Sequence, residues 1–357
     1  MPQYHVYNFC ASRNGFMGVD LGELPKKTTS LSELSGKRFA VDAHNTIYQF
    51  LSSIRQPDGT PLQDFQGNTT GHLTGIFYRN CRLLESGIRP IYVFDGKPPE
   101  FKSDVLGARK ERKLEAEAQW KSALERGDLA QAKKFAQATS RLTLEMIEES
   151  KKLLLLMGIP VVESPSEGEA QATQMAIEGT VDAVSSQDID CLLFGTPLLL
   201  RNLSVGGRRK LPGKNEYVDV EPEFISLQDT LSSLGVNRKQ LIWIGILVGN
   251  DFDEGVKGIG PKKALKIVKE CKSLTEAAEK AGASSELELF ERVEKFFLEP
   301  PVKKGVAAES EKMDQAGIVE FLCKGHDFSE ERVNRTCASV QKRIKEIGGQ
   351  TKLGSWS

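Results

Sequence analysis

Apolar and polar positions along the 357-residue chain fall into short, dense apolar runs separated by longer helical patterns. Three of the short runs stop abruptly in an acid: Arg38-Phe-Ala-Val-Asp42, Ile91-Tyr-Val-Phe-Asp95 and Asp182-Ala-Val-Ser-Ser-Gln-Asp188. Runs of that length and composition suit buried parallel strands. The rhythm is βαβ, and it predicts an α/β core with a mixed, mainly parallel sheet. In open sheets of this kind ligands gather at the carboxyl ends of the strands, so acids placed just after strands would converge on one crevice.

From about residue 102 to 152 the pattern changes to Ala, Glu, Lys and Arg, as in Arg109-Lys-Glu-Arg-Lys-Leu-Glu-Ala-Glu-Ala118. These are strong helix formers. One reading is a solvated helical pair supported by i,i+4 charge pairs. The other follows from position: the stretch leaves directly from Asp95-Gly-Lys-Pro-Pro99 and returns just before Glu167, which would set it over the acidic crevice. Beyond about residue 221 the chain reads as mostly helical and ends in a polar tail, without internal repeats.

The longest apolar runs, 153–162 and 241–249, are far short of the roughly twenty residues of a membrane-spanning helix and read as buried core. The N-terminal residues have neither a positive nor an apolar signal region, so an intracellular protein with no membrane partner is expected. The six cysteines are scattered without a C-x-x-C and only four histidines could join them, which argues against zinc sites and disulfides. Lys and Arg (48) nearly cancel Asp and Glu (49), so net charge alone announces no polyanionic partner. What matters is distribution, with basic runs in two segments and isolated acids at the ends of apolar stretches.

Asp188-Ile-Asp190 and Glu167-Gly-Glu169 are close acidic pairs that could share a metal. On an extended segment the aspartates, two apart, would face one side. Ser166 is a plausible helix N-cap, which would place Glu169 in the first helical turn and Glu167 at or just before it. Each pair alone is explained equally by a solvated turn or a cap. The argument is collective, because burying several uncompensated carboxylates together is expensive and calls for cations. Oxygen-only ligands favour Mg²⁺, with Mn²⁺ as substitute. Two such ions about 4 Å apart can activate a water and steady the leaving oxygen of a phosphodiester. Asp42, Asp95, Glu167, Glu169, Asp188, Asp190 and Asp251 would still carry excess negative charge over two divalent ions, so basic residues should line the entrance. Lys102 and Arg109, seven apart on one helical face, are the candidates.

Gly255-Val-Lys-Gly258-Ile-Gly260-Pro-Lys-Lys-Ala264 has the form of a helix-hairpin-helix turn, with Pro261 suited to a first helical turn. Its amides can hold a phosphate without reading sequence, and Lys257, Lys262 and Lys263 reinforce the grip.

With these features in place, the chain resembles the structure-specific 5′ nucleases, most closely the archaeal-type flap endonucleases. The match runs from Met17 to the C-terminus through Met17-Gly-Val-Asp-Leu-Gly-Glu-Leu, Val41-Asp-Ala, Val93-Phe-Asp-Gly-Lys-Pro-Pro, Glu167-Gly-Glu-Ala-Gln-Ala, Ser186-Gln-Asp-Ile-Asp190 and Gly249-Asn-Asp-Phe252. The resemblance implies a PIN-like core, a helical arch through which a 5′ flap passes, and a C-terminal helix-hairpin-helix region. It makes all seven acids metal-centre residues over two sites, and Lys102 and Arg109 catalytic residues at the base of the arch. It implies that Tyr48 stacks near the scissile nucleotide, where the residues alone would favour core packing, and that Arg55 lies near the DNA junction. Gly18, Glu167, Gly249, Asp251, Gly258 and Gly260 join the expected DNA contacts, with Lys262 and Lys263. The tail Gln350-Thr-Lys-Leu353-Gly-Ser-Trp356-Ser357 resembles a motif for the PCNA sliding clamp, through Gln350, Leu353 and Trp356; Ser357 replaces the second aromatic expected there.

Expected boundaries are 17–115 and 116–275 for the nuclease regions, 276–348 for a helical region and 349–357 for the clamp-binding tail. Residues 1–16 precede the family's usual start and read as a mis-assigned start or an extension. The implied activity is Mg²⁺-dependent 5′-flap endonuclease and 5′–3′ exonuclease action on branched DNA in replication, including Okazaki fragment maturation, and in repair. Competing readings are a related nuclease for bubbles, junctions or blunt ends, a catalytically silent clamp-binding scaffold, and a small-molecule phosphatase. The intact acid set opposes the scaffold, and the hairpin and arch oppose the phosphatase.

Overall fold

The computed structural model describes residues 19–203, 207–210 and 217–354, with side chains except at 103–113, 207–210, 217–219 and 348–354. After the edge strand β1 (Lys27–Thr28), β2 (Arg38–Asp42) runs into α1 (Ala43–Ser53), and α2 (Gly71–Glu85) returns to β3 (Arg89–Phe94). Next come α3 (Ser103–Glu125) and α4 (Leu129–Ala138), the helical pair expected from composition, then α5 (Leu144–Leu156) and β4 (Val161–Glu163). α6 (Gly168–Ile177), β5 (Ala183–Ser185), α7 (Asp190–Phe194) and β6 (Leu198–Arg201) continue the βαβ rhythm. A separate two-stranded ribbon, β7 (Gly207–Lys210) and β8 (Tyr217–Val220), precedes β9 (Glu223–Ser226). The remainder is helical: α8 (Leu227–Leu234), α9 (Arg238–Val248), α10 (Pro261–Lys269), α11 (Leu274–Ala281), α12 (Leu287–Leu298), α13 (Gln315–Val319) and α14 (Glu330–Gly354).

Seven strands form one sheet in the order β1-β9-β6-β5-β2-β3-β4. The five from β2 to β6 are parallel, and β9 and β1 close one edge antiparallel, so the mixed, mainly parallel sheet is as expected. The sheet draws strands from both sides of residue 115, so that boundary divides the sequence rather than the fold.

Strand alternation sends neighbouring side chains to opposite faces, and two apolar cores result. Ala40, Ile91 and Val93 face a core shared with α6, α9 and α12, while Phe39, Val41, Tyr92 and Phe94 face one shared with α1, α2, α5 and α14. Residues 299–314, without helix or strand, cross back over α6. There Lys303 donates its amide to Oε1 of buried Gln171 at 2.7 Å and accepts from Gln171 Nε2 at 2.8 Å. Among the described residues no helix is long and apolar enough to cross a membrane.

β2 is the middle one of the five parallel strands, and the switch in strand order falls between it and β5. Crevices at such a switch point, outside the carboxyl strand ends, are where open α/β sheets bind ligands. The helix that starts there, α1, lies so close to α2 that a Cβ built on Gly75 would stand 2.2 Å from the Phe50 ring. We expect Gly75→Ala to destabilise the fold, because overpacking of about 1–3 kcal/mol exceeds the roughly 0.5–1 kcal/mol that alanine gains over glycine in a helix. Urea unfolding measures it, and an unchanged midpoint would refute the close packing.

Candidate functional site

β2 delivers the first acid. Asp42 is both the last residue of the strand and the N-cap of α1, and its Oδ1 accepts the Asn45 amide at 3.1 Å. β3 runs alongside with Val93 opposite Asp42, which brings Asp95, just past the strand end, to the same rim.

α6 supplies the next two. Glu167 is the N-cap residue itself and Glu169 sits in the first turn, so the cap expected at Ser166 lies one residue later. Ser166 is instead tied into the loop, its carbonyl accepting the Gly96 amide at 2.6 Å. The Glu167 carboxylate makes no capping bond, because it reaches Lys102 Nζ at 2.7 Å.

The remaining acids come from loops. The extended pairing expected for Asp188 and Asp190 does not form, since β5 ends at Ser185 and Asp190 opens α7. An aspartate turn replaces it: Asp188 Oδ1 accepts the Asp190 amide at 2.9 Å. Asp251, in the loop after α9, donates its amide toward Asp190 Oδ2 at 3.4 Å. Carboxylate oxygens of Asp188, Asp190 and Asp251 lie within 4.8 Å of one another.

Several contributors were not anticipated from sequence. Ser186 Oγ donates to Asp42 Oδ2 at 3.1 Å, lies 3.4 Å from Glu169 Oε1, and accepts the Asp188 amide at 3.0 Å. His44 Nδ1 accepts the Asp95 amide at 3.1 Å. Asp190 Oδ1 accepts the amide of Val19 at 2.8 Å. A serine or histidine within two residues of an acid at a strand end was the available signal.

Lys102 corrects the expected layout. It does not line the entrance on a helical face; it precedes α3 and is only 8% exposed among the acids, 3.9 Å from Asp251 as well as bonded to Glu167. Its ammonium also stands 5.2 Å from the centre of the Phe252 ring. Neighbouring Phe101 explains the placement: its ring packs edge-on against Phe252 and Phe296, which anchors the chain at the base of α3.

The electrostatics follow from burial. Burial pushes the Asp42 carboxyl up to about 7, with Asp95 adding to the effect. It pushes Glu167 up to about 7 too, although Lys102 pulls the other way. Glu169 and Asp188 are also raised well above the ordinary carboxylate range, first by burial and then by Asp188 and Asp190 respectively. For Lys102, burial works against its charge, but Glu167, Asp251 and Asp95 outweigh it and raise its pKa. Burial lowers the pKa of His44, against the pull of neighbouring Asp95. Seven acids against one buried ammonium leave an excess of negative charge, and the donors are carboxylate oxygens. That set fits hard divalent cations.

Elsewhere, Gly249 ends α9, Gly260 caps α10 and Pro261 opens it. Lys257, Gly258, Lys262 and Lys263 are exposed on this hairpin, which buried Ile259 anchors. Tyr48 is buried on α1. The Arg55 guanidinium donates to Leu51 O, Gly59 O and Ser140 Oγ. Gly18, Trp356 and residues 1–16 lie outside the described residues, as do the side chains of Arg109, Gln350 and Leu353.

The XPG N-terminal domain model matches residues 21–116 and the XPG I-region model residues 158–251. The chain is 52% identical over 342 residues to flap endonuclease 1 of Thermococcus onnurineus (strain NA1), covering 95% of this chain and 99% of that protein. The structure of flap endonuclease-1 from Methanococcus jannaschii matches with a TM-score of 0.72 at 40% identity, over 92% of this chain and all of that one. The catalytic core of Rad2 in complex with DNA substrate matches with a TM-score of 0.64 at 26% identity, over 88% and 96% of the two chains.

The raised carboxyl pKa values carry a pH consequence. Ordinary values are 3.8 for Asp42 and 4.5 for Glu167, so between about pH 4 and 7 the metal-free fold holds protons that the unfolded chain has released. Stability of the metal-free protein should therefore fall as pH rises through that window. Added Mg²⁺ should raise the melting temperature more at pH 8 than at pH 5. Equal gains at both, by calorimetry against an EDTA control, would contradict this account.

Proposed function

The chain belongs to the flap endonuclease 1 family, and from that premise we propose that its acidic crevice holds two Mg²⁺ ions and is where DNA is cut. The enzyme is a structure-specific nuclease that removes 5′ flaps from DNA in replication and repair. The observation that carries the proposal for the crevice is the convergence of seven acids at the switch point of the sheet, with the Lys102 ammonium buried against Glu167 and Asp251.

Asp42, Asp95, Glu167, Glu169, Asp188, Asp190 and Asp251 would hold the ions, and Mn²⁺ suits the same oxygens. Bound divalent ions supply a nucleophilic water at neutral pH and charge stabilisation at the phosphodiester. The chain's own side chains do the rest. Lys102, fixed by Glu167 and Asp251, puts a permanent positive charge where charge develops on the phosphate. Arg109, two turns along α3, adds a second at the base of the arch formed by α3 and α4. The amides of Lys262 and Lys263 in the first turn of α10 lack carbonyl partners within their own helix and would hold a backbone phosphate of the duplex, with Gly258 and Gly260 allowing close approach. Gly18 and Gly249 would contact the DNA, and Tyr48, buried on α1, would have to turn outward to stack near the scissile nucleotide. Arg55 would act at the junction by bracing the loop it bonds rather than by gripping phosphate. The tail, through Gln350, Leu353 and Trp356, would bind PCNA. A role in replication and repair would put this work inside the cell.

Asp188→Asn should lower cleavage of a double-flap substrate by at least about a thousandfold, the scale of several kcal/mol of lost transition-state stabilisation, while DNA affinity by fluorescence anisotropy stays within a few fold. Loss of cleavage and binding together would mean that the acid is structural. A wild-type enzyme that prefers bubbles or four-way junctions over flaps in the same assay would overturn the substrate assignment. Trp356→Ala should abolish stimulation by PCNA without changing clamp-free cleavage; no response of the wild type to PCNA would sink the assignment of the tail.

A further inference from the structure

Asp95 sits where the sheet stops holding the chain. It lies one residue past β3, at the start of a stretch without regular structure that runs to Pro99. Two neighbours hold it. On one side Oδ1 accepts the Gly168 amide at 2.6 Å, from the first residue of α6. Gly168 has no room for a side chain, since a Cβ there would stand 2.8 Å from Asp95 Oδ1 and 3.1 Å from Val93 O.

On the other side stands His44. Because α1 is capped by Asp42, position 44 falls in the first helical turn, beside the end of the neighbouring strand. The ring is 1% exposed and packs edge-on against Phe94, with centroids 5.7 Å apart. Its Nδ1 accepts the Asp95 amide at 3.1 Å and lies 3.4 Å from Asp95 Oδ2. The Asp95 amide is part-buried and His44 Nδ1 accepts it, so the side chain at position 44 decides whether Asp95 can keep this backbone position.

We propose that His44 is a positioning residue for Asp95: by accepting its amide, the ring fixes the carboxylate against Gly168 and so sets the affinity of the crevice for its cation. The inference rests on the metal-binding reading given above. Groups that orient a ligand without touching the ion typically change metal affinity or activity by about 10–100-fold when removed. Helix geometry lets one turn serve two acids, Asp42 as the cap and Asp95 through His44.

The test compares wild type, His44→Leu and His44→Asn. Leucine keeps apolar bulk but removes the acceptor, whereas asparagine keeps an acceptor at similar reach and loses the ring. Mn²⁺ binding to the DNA-free protein is read by electron paramagnetic resonance, and half-saturating Mg²⁺ by flap cleavage. Expected results are Mn²⁺ affinity about tenfold or more weaker for His44→Leu, a matching rise in half-saturating Mg²⁺ with cleavage recovered at high Mg²⁺, and His44→Asn within about threefold of wild type. His44→Ala, which also removes the acceptor but adds no bulk, serves if the leucine variant does not fold. Unchanged Mn²⁺ affinity in the leucine or alanine variant overturns the proposal. So does an asparagine variant as weak as leucine, which would assign the effect to ring packing. Wild-type flap cleavage in the same assay secures the premise, so either result would fall on His44 alone.

Discussion

The repulsion among buried carboxylates is the constraint on which the rest of this structure depends. A low-dielectric crevice cannot hold several bare negative charges, and the fold answers with whatever donors it has. Backbone amides are used first: Val19 to Asp190, Asn45 to Asp42, Gly168 to Asp95, Asp190 to Asp188. One hydroxyl, Ser186, joins Asp42 to the Asp188 loop. One ammonium, Lys102, is drawn inside. These donors fix the acids in place without cancelling their charge, and the surplus is what attracts divalent ions.

The cation is placed by apolar forces. Phe101, Phe194, Phe252, Phe296 and Phe297 come from four separated segments and pack beneath the site, edge to face except for the tilted pair Phe194 and Phe297. Edge-to-face aromatic contacts have a defined geometry as well as a large buried area. A rigid aromatic floor therefore sets the depth of the neighbouring Lys102, and the charged chemistry inherits its position from the core.

This explains what the sequence disclosed and what it withheld. Apolar runs ending at Asp42 and Asp95 were legible because a strand buried on both faces leaves a continuous apolar signature, and the acid after it must lie at the strand's carboxyl end. Pro261 after Gly260 was legible because proline suits a first helical turn. The Asp188–Asp190 geometry was not, since a two-residue spacing fits an extended strand or an aspartate turn equally well until the end of β5 is known. The Ser166 cap failed by one residue for a tertiary reason, because the loop before α6 is bonded to Gly96. Charge balance correctly demanded a cation near the acids, but it carries no information on depth. The demand placed Lys102 at the rim, whereas Phe101 pulls it to the floor.

The bond pair between Gln171 and Lys303 bears on how the enzyme is made. All seven acids have left the ribosome once residue 251 emerges, yet α6, which carries Glu167 and Glu169, has its buried amide at Gln171 completed only by a residue 132 positions later. A nascent chain would thus expose a full set of acids before the helix presenting two of them is locked. The segment around Lys303 reaches α6 only after every one of the acids has been synthesised.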